Sequence, residues 1–162
     1  VMGWRYGAGV FLLDMLKGLV PVYMASRYGG VQGITDPLVV LCGFGAILGH
    51  VFPLYLRFQG GKAAATSVGV FLWLAPQALV VALVVWVITV AISRYVSLGT
   101  ILSAVGFCVV IVVFGHDPFG QGIYLTVFSF AIGLLVIIRH KENISRLLAG
   151  TERKIGQRET SA

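Results

Sequence analysis

Residues 58–66, FQGGKAAAT, set two glycines and a lysine between two apolar stretches. Glycine lets a backbone approach a ligand closely and can turn N–H groups toward it. Lys62 adds a cation. A helix beginning near Ala63 adds free N–H groups and the positive end of its dipole. Together these suit an anion, above all a phosphate, with Gly60, Gly61, Lys62 and Thr66 as its contacts. The stretch lacks the GxxxxGK[ST] spacing of a nucleotide-binding loop. The same residues also read as a plain Gly-Gly turn beside a charge that fixes topology.

Other polar residues fall where polar residues are costly. His50 lies near the end of the preceding apolar run, in GHVFPLYLRF. A polar group at that depth usually faces the protein interior. It is either a hydrogen-bonded core residue or a further phosphate contact. Asp14 and Lys17, in FLLDMLKGLVP, are spaced to pair on one helical face. Pairing alone explains both, and the alternative is that they line the same cavity. Arg94, Ser97 and Thr100 sit on another turn, where Arg94 and Ser97 could line the same cavity or Ser97 simply cap the following helix. In RHKENISRLLAGTERK, residues 139–154, a helix would place His140, Asn143 and Arg146 on one face. A basic interfacial helix has this character too. The mixture of His, Glu, Asn and Arg suits recognition better than anchoring, with Arg146 as one more phosphate contact.

The elements that carry these residues belong in a membrane. Of 162 residues 58% are hydrophobic and 11% charged, where soluble domains carry about a quarter charged. Mean hydropathy is +0.95. Six apolar segments are legible, over 8–28, 37–56, 63–75, 77–93, 97–115 and 120–138. The third is short for a bilayer. Ala75-Pro76-Gln77 reads as a tight turn between two helices, the alternative being one long helix kinked at Pro76. The reading is thus all-α: a polytopic transmembrane bundle of six helices over residues 1–150, then a polar cytoplasmic tail over 151–162.

Charge supports six crossings. Arg139, Lys141, Arg146, Arg153, Lys154 and Arg158 make the C-terminus cytoplasmic. Counting back, Arg94, Arg57, Lys62 and Arg5 reach the same side, and Arg27, Asp36, His116 and Asp117 the other. The net charge of +6 is therefore topological and not a nucleic-acid surface. Cys42 and Cys108 lie in apolar runs as small core residues, and no spacing suggests a metal site. Val1-Met2-Gly3-Trp4-Arg5 leads straight into an apolar run, as if the true start were missing.

LLDMLKG, GHVFPLYLRFQGGKAAAT, RYVSL and RHKENISRLLAGTE, in that order, resemble the signatures of the bacterial acyl-phosphate:glycerol-3-phosphate acyltransferases. The resemblance covers essentially the whole chain. It implies an inner-membrane enzyme of phospholipid synthesis with seven transmembrane helices, of which the six here are the second to seventh. It implies acyl transfer from acyl phosphate to the 1-hydroxyl of glycerol 3-phosphate, giving lysophosphatidic acid and phosphate, with no cofactor. The glycine-lysine loop is then a phosphate-binding loop, and His140 and Asn143 serve activity. The family's structural glutamate is Glu142 or Glu152. A first motif with an essential Ser and Arg would precede Val1, so residues 1–162 alone are expected to be inactive or nearly so. The residues offer no acyl-enzyme nucleophile and no His-x4-Asp pair. Direct attack by the glycerol hydroxyl follows, with His50, His140 or the donor's own phosphate as base. Two other readings stand beside this one, a transporter for an anionic solute and a membrane scaffold.

Overall fold

A computed structural model describes residues 4–30, 33 and 36–157. Val1 to Gly3 and Arg158, which figured in the reading of the termini, lie outside the described residues. Among the described residues seven α-helices follow one another: α1 Trp4–Tyr28, α2 Pro37–Val51, α3 Ala64–Leu74, α4 Pro76–Ser93, α5 Val96–Phe114, α6 Ile123–Arg139 and α7 Lys141–Leu148. No strand occurs among the described residues. The six apolar segments correspond to α1–α6, and the stretch after Arg139 forms α7.

Helix ends follow local chemistry. Asp36 caps α2 by accepting from the Leu38 N–H at 2.9 Å, with Pro37 at the first helical position. Pro53 ends α2 before the 56 read from sequence, since the residue before a proline is pushed out of the α region. One 3-10 turn, Leu54–Leu56, follows, and Arg57 and Phe58 then adopt left-handed backbone. Ala75 (φ −150°, ψ 62°) separates α3 from α4, so Pro76 opens a new helix and does not kink an old one. Left-handed Arg94 closes α4.

Length divides the helices. α1, the span Pro37–Leu56, α4 and α5 are each long and apolar enough to cross a bilayer, and α6 qualifies together with α7, from which it bends by 56°. α3, with eleven residues, rises only about 16 Å, against a hydrocarbon core of roughly 30 Å. By length the described helices carry four or five crossings, where the sequence reading has six.

α1 packs on α2 and α3, and α5 packs on α4 and α6. At the centre Phe71 meets Phe107 and Phe128 with ring centroids 4.4 and 5.3 Å apart. Cys108 is buried and donates to the Ser129 carbonyl at 3.4 Å. Between helices in lipid, close backbone approach replaces the hydrophobic effect as the source of packing. The α1–α3 contact uses it fully. A Cβ on Gly69 would overlap the Met15 carbonyl, and one on Gly18 the Thr66 carbonyl. Gly69→Ala is therefore expected to destabilise by about 1–3 kcal/mol, read as a lowered melting temperature of the detergent-solubilised protein.

The connectivity brings the C-terminal ends of α2, α4 and α6 and the N-terminal ends of α3 and α5 to one end of the bundle. The polar motifs all sit there.

Candidate active site

The Pro53–Ala63 loop folds back on α2. The Gly60 N–H donates to the Val51 carbonyl and the Gly61 N–H to the His50 carbonyl, both at 3.1 Å. These two donors are therefore spent on the loop itself, contrary to the expectation that they turn toward an anion. The glycines are required for space. A Cβ on Gly61 would overlap the His50 ring, and one on Gly60 the His50 carbonyl and Pro53. Gly61→Ala is accordingly expected to displace the loop or His50, lowering the affinity for inorganic phosphate roughly tenfold for each 1.4 kcal/mol of lost contact. Isothermal titration of the purified variant measures it.

What the loop presents instead is Lys62 and the start of α3. Ala63 takes left-handed backbone (φ 69°) and caps α3 without a side-chain hydrogen bond. The first N–H groups of a helix have no partner within it, and here they stand beside Lys62.

Lys62 Nζ donates to Asn143 Oδ1 at 2.6 Å. Asn143 Nδ2 donates to Glu152 Oε1 at 2.7 Å. The Ser97 hydroxyl donates to the same oxygen at 2.6 Å, and Arg146 Nε donates to Glu152 Oε2 at 2.6 Å. Loop, α5, α7 and the segment after it are thus joined through one carboxylate. Between the two candidate glutamates, Glu152 occupies the centre of this network, and Glu142 is exposed. Burial alone pushes the Glu152 carboxyl up. The hydrogen bonds from Ser97, Asn143 and Arg146, with the Arg146 charge, outweigh it and hold the group down to about 2.

Arg139, read from sequence only as a topological charge, holds the loop from behind. Its Nη2 donates to the Gly60 carbonyl at 2.8 Å and its Nε to the Gly61 carbonyl at 3.3 Å. His140 is buried where α6 meets α7, with Nδ1 2.8 Å from the Val136 carbonyl. A proton on Nδ1 satisfies that carbonyl and leaves Nε2 as the basic nitrogen.

Asp14 does pair with Lys17, at 2.9 Å, but it also faces His50 Nδ1 at 3.6 Å. That second distance is too long for a hydrogen bond. Arg94 turns away from the site: its guanidinium donates to the Ile155 carbonyl at 2.6 and 3.1 Å, and the Ile155 N–H returns to the Arg94 carbonyl. This clasp straps the segment bearing Glu152 across the α4–α5 corner. Thr66 is fully buried, its hydroxyl without a partner among the described residues, and so lies apart from the network.

A cavity of about 710 Å³ opens beside Lys62. Asp14, His50, Gly61 and Lys62 line it at the loop, and α3–α6 supply a mostly apolar wall that also carries Ser67, Thr100, Ser103 and Ser129. The arrangement defines a membrane-embedded helical protein with an anion-suited mouth on an apolar chamber. The family model for glycerol-3-phosphate acyltransferase matches residues 1–150, and the chain belongs to that family. It is 42% identical over 153 residues to the glycerol-3-phosphate acyltransferase of Trichlorobacter lovleyi, covering 94% of this chain and 74% of the relative. Against that of Fusobacterium nucleatum it is 41% identical over 154 residues, with 95% and 75% covered. A solved structure of PlsY (YgiH), an integral membrane glycerol 3-phosphate acyltransferase in its glycerol 3-phosphate form, superposes with a TM-score of 0.86 at 34% identity, covering 96% of this chain and 74% of that one. A lysophosphatidic acid form of the same protein superposes equally well.

Proposed function

We propose that this protein transfers a fatty acyl group from an acyl phosphate to the 1-hydroxyl of glycerol 3-phosphate, releasing lysophosphatidic acid and phosphate, at the cytoplasmic side of the bacterial inner membrane. The observation that carries this reading is the juxtaposition of Lys62 and the open end of α3 with a large apolar cavity. A phosphate needs the first and a fatty chain needs the second. The family supports the acceptor. The donor and product rest on the resemblance of the four motifs.

In this reading Lys62 and the first N–H groups of α3 hold a phosphate and offset charge as phosphate leaves. His140 and Asn143 serve the same site, Asn143 through its bond to Lys62. Gly60 and Gly61 shape the loop, and Glu152 with Ser97 and Arg146 fixes Asn143. The hydroxyl of glycerol 3-phosphate attacks the acyl carbonyl, the bond to phosphate oxygen breaks, and the proton passes to the departing phosphate or to His50 or His140. Acyl phosphate is already activated, so holding both substrates in contact supplies much of the rate. The C-terminus faces the cytoplasm, and α3 and α6 complete six crossings.

The test is incorporation of labelled glycerol 3-phosphate into extractable lipid by the full-length protein in vesicles. Incorporation is expected with palmitoyl phosphate and not with palmitoyl thioester. Uptake of label without lipid product would replace this reading by the transporter.

A further inference from the structure

This inference rests on the acyltransferase reading and concerns the length of the chain transferred. From Lys62 the cavity is lined by α3, α4, α5 and α6. Along α5 its lining extends from Val96 to Phe107, about 16 Å at the helical rise. Its lining residues farthest along the helices from Lys62 are Phe71 of α3, Leu79 of α4 and Phe107 of α5, which are 4, 6 and 6% exposed, with Ser129 of α6 beside them. Phe71 and Phe107 are in ring contact at 4.4 Å, and Phe128 backs Phe71 at 5.3 Å. Beyond them Leu74, Ala75 and Ala78 are buried where α3 and α4 join. One turn closer to Lys62 the lining includes the small residues Ala82 on α4 and Ala104 on α5, beside Val68 and Leu83.

We propose that the Phe71–Phe107 pair is the floor against which the acyl chain is measured, and that it sets the longest chain used efficiently. Interlocked aromatic rings at native packing density cannot yield to an extra methylene without shifting their neighbours. A chain that stops short forfeits contact with the floor. Small side chains at 82 and 104 leave the passage to that floor open.

The experiment measures glycerol 3-phosphate-dependent phosphate release from saturated acyl phosphates, decanoyl to stearoyl, by the full-length protein and two variants. Phe107→Ala is expected to move the optimum to longer chains. Ala104→Leu, which fills the last turn above the floor, is expected to move it to shorter ones. Each methylene gained or excluded changes kcat/KM roughly fourfold. Active variants with the unaltered chain-length profile would overturn the inference alone. If Phe107→Ala does not fold, the profile of Ala104→Leu decides it. No acceptor-dependent release from the unaltered protein would overturn the acyltransferase reading and this inference with it.

Discussion

Lys62→Ala is expected to lower acceptor-dependent phosphate release by about 10²–10³, the usual cost of removing a preorganised donor from developing charge. Lys62 is the cation at the start of α3, where no side chain caps the helix, and its Nζ is already fixed by Asn143 at 2.6 Å. The remaining N–H groups of α3 cannot replace a full charge. The side chain is exposed, so its loss has little bearing on folding, about 1 kcal/mol for one hydrogen bond. Lys62→Arg restores charge but presents a planar fork in place of a point charge, and only partial recovery is expected. A folded Lys62→Ala protein with near-normal turnover would remove the loop from the site.

Glu152→Ala is expected to damage both stability and turnover. The carboxylate accepts from Ser97, Asn143 and Arg146. Removing it leaves the buried donors of Ser97 and Asn143 without that acceptor while the half-exposed Arg146 side chain turns to water, for a loss of about 2–4 kcal/mol. Asn143 then no longer fixes Lys62, and a displacement on the order of 1 Å can cost roughly a hundredfold in rate. Glu152→Gln separates charge from shape. The folded carboxyl is held at about 2, below its ordinary 4.5. A depressed folded pKa stabilises the fold above 4.5, and that contribution is lost as pH falls toward 2. The melting temperatures of the unaltered protein and Glu152→Gln should therefore differ by a constant amount at neutral pH and converge between 4.5 and 2. A difference that persists below that window would show that shape, not charge, accounts for the effect.

Much of the architecture is legible in sequence because apolar runs and breakers are local signals. Asp36-Pro37, Pro53 and Ala75-Pro76 mark helix ends through their own backbone chemistry. The polar motifs could be picked out one by one because each is costly in lipid. Their assembly was not legible. Lys62 and Asn143 are 81 residues apart, and Ser97 and Glu152 are 55 apart. No periodicity links such positions. Glu142 and Glu152 looked equivalent because the turn after α7, where the Thr151 and Glu152 N–H groups return to the Arg146 carbonyl, leaves no sequence signature that would favour one. Arg139 was hidden among six cationic residues of the C-terminal region, and only its bonds to the Gly60 and Gly61 carbonyls distinguish it. The pairing of Asp14 with Lys17 was visible because it lies within one helix, and its approach to His50 was not, because that crosses between helices.

The most direct measurement is phosphate release from palmitoyl phosphate by the full-length protein, with and without glycerol 3-phosphate. Release that depends on the acceptor, matched mole for mole by lysophosphatidic acid, is the expected result. Release at the same rate without acceptor, or none with it in a folded preparation, would contradict acyl transfer to glycerol 3-phosphate.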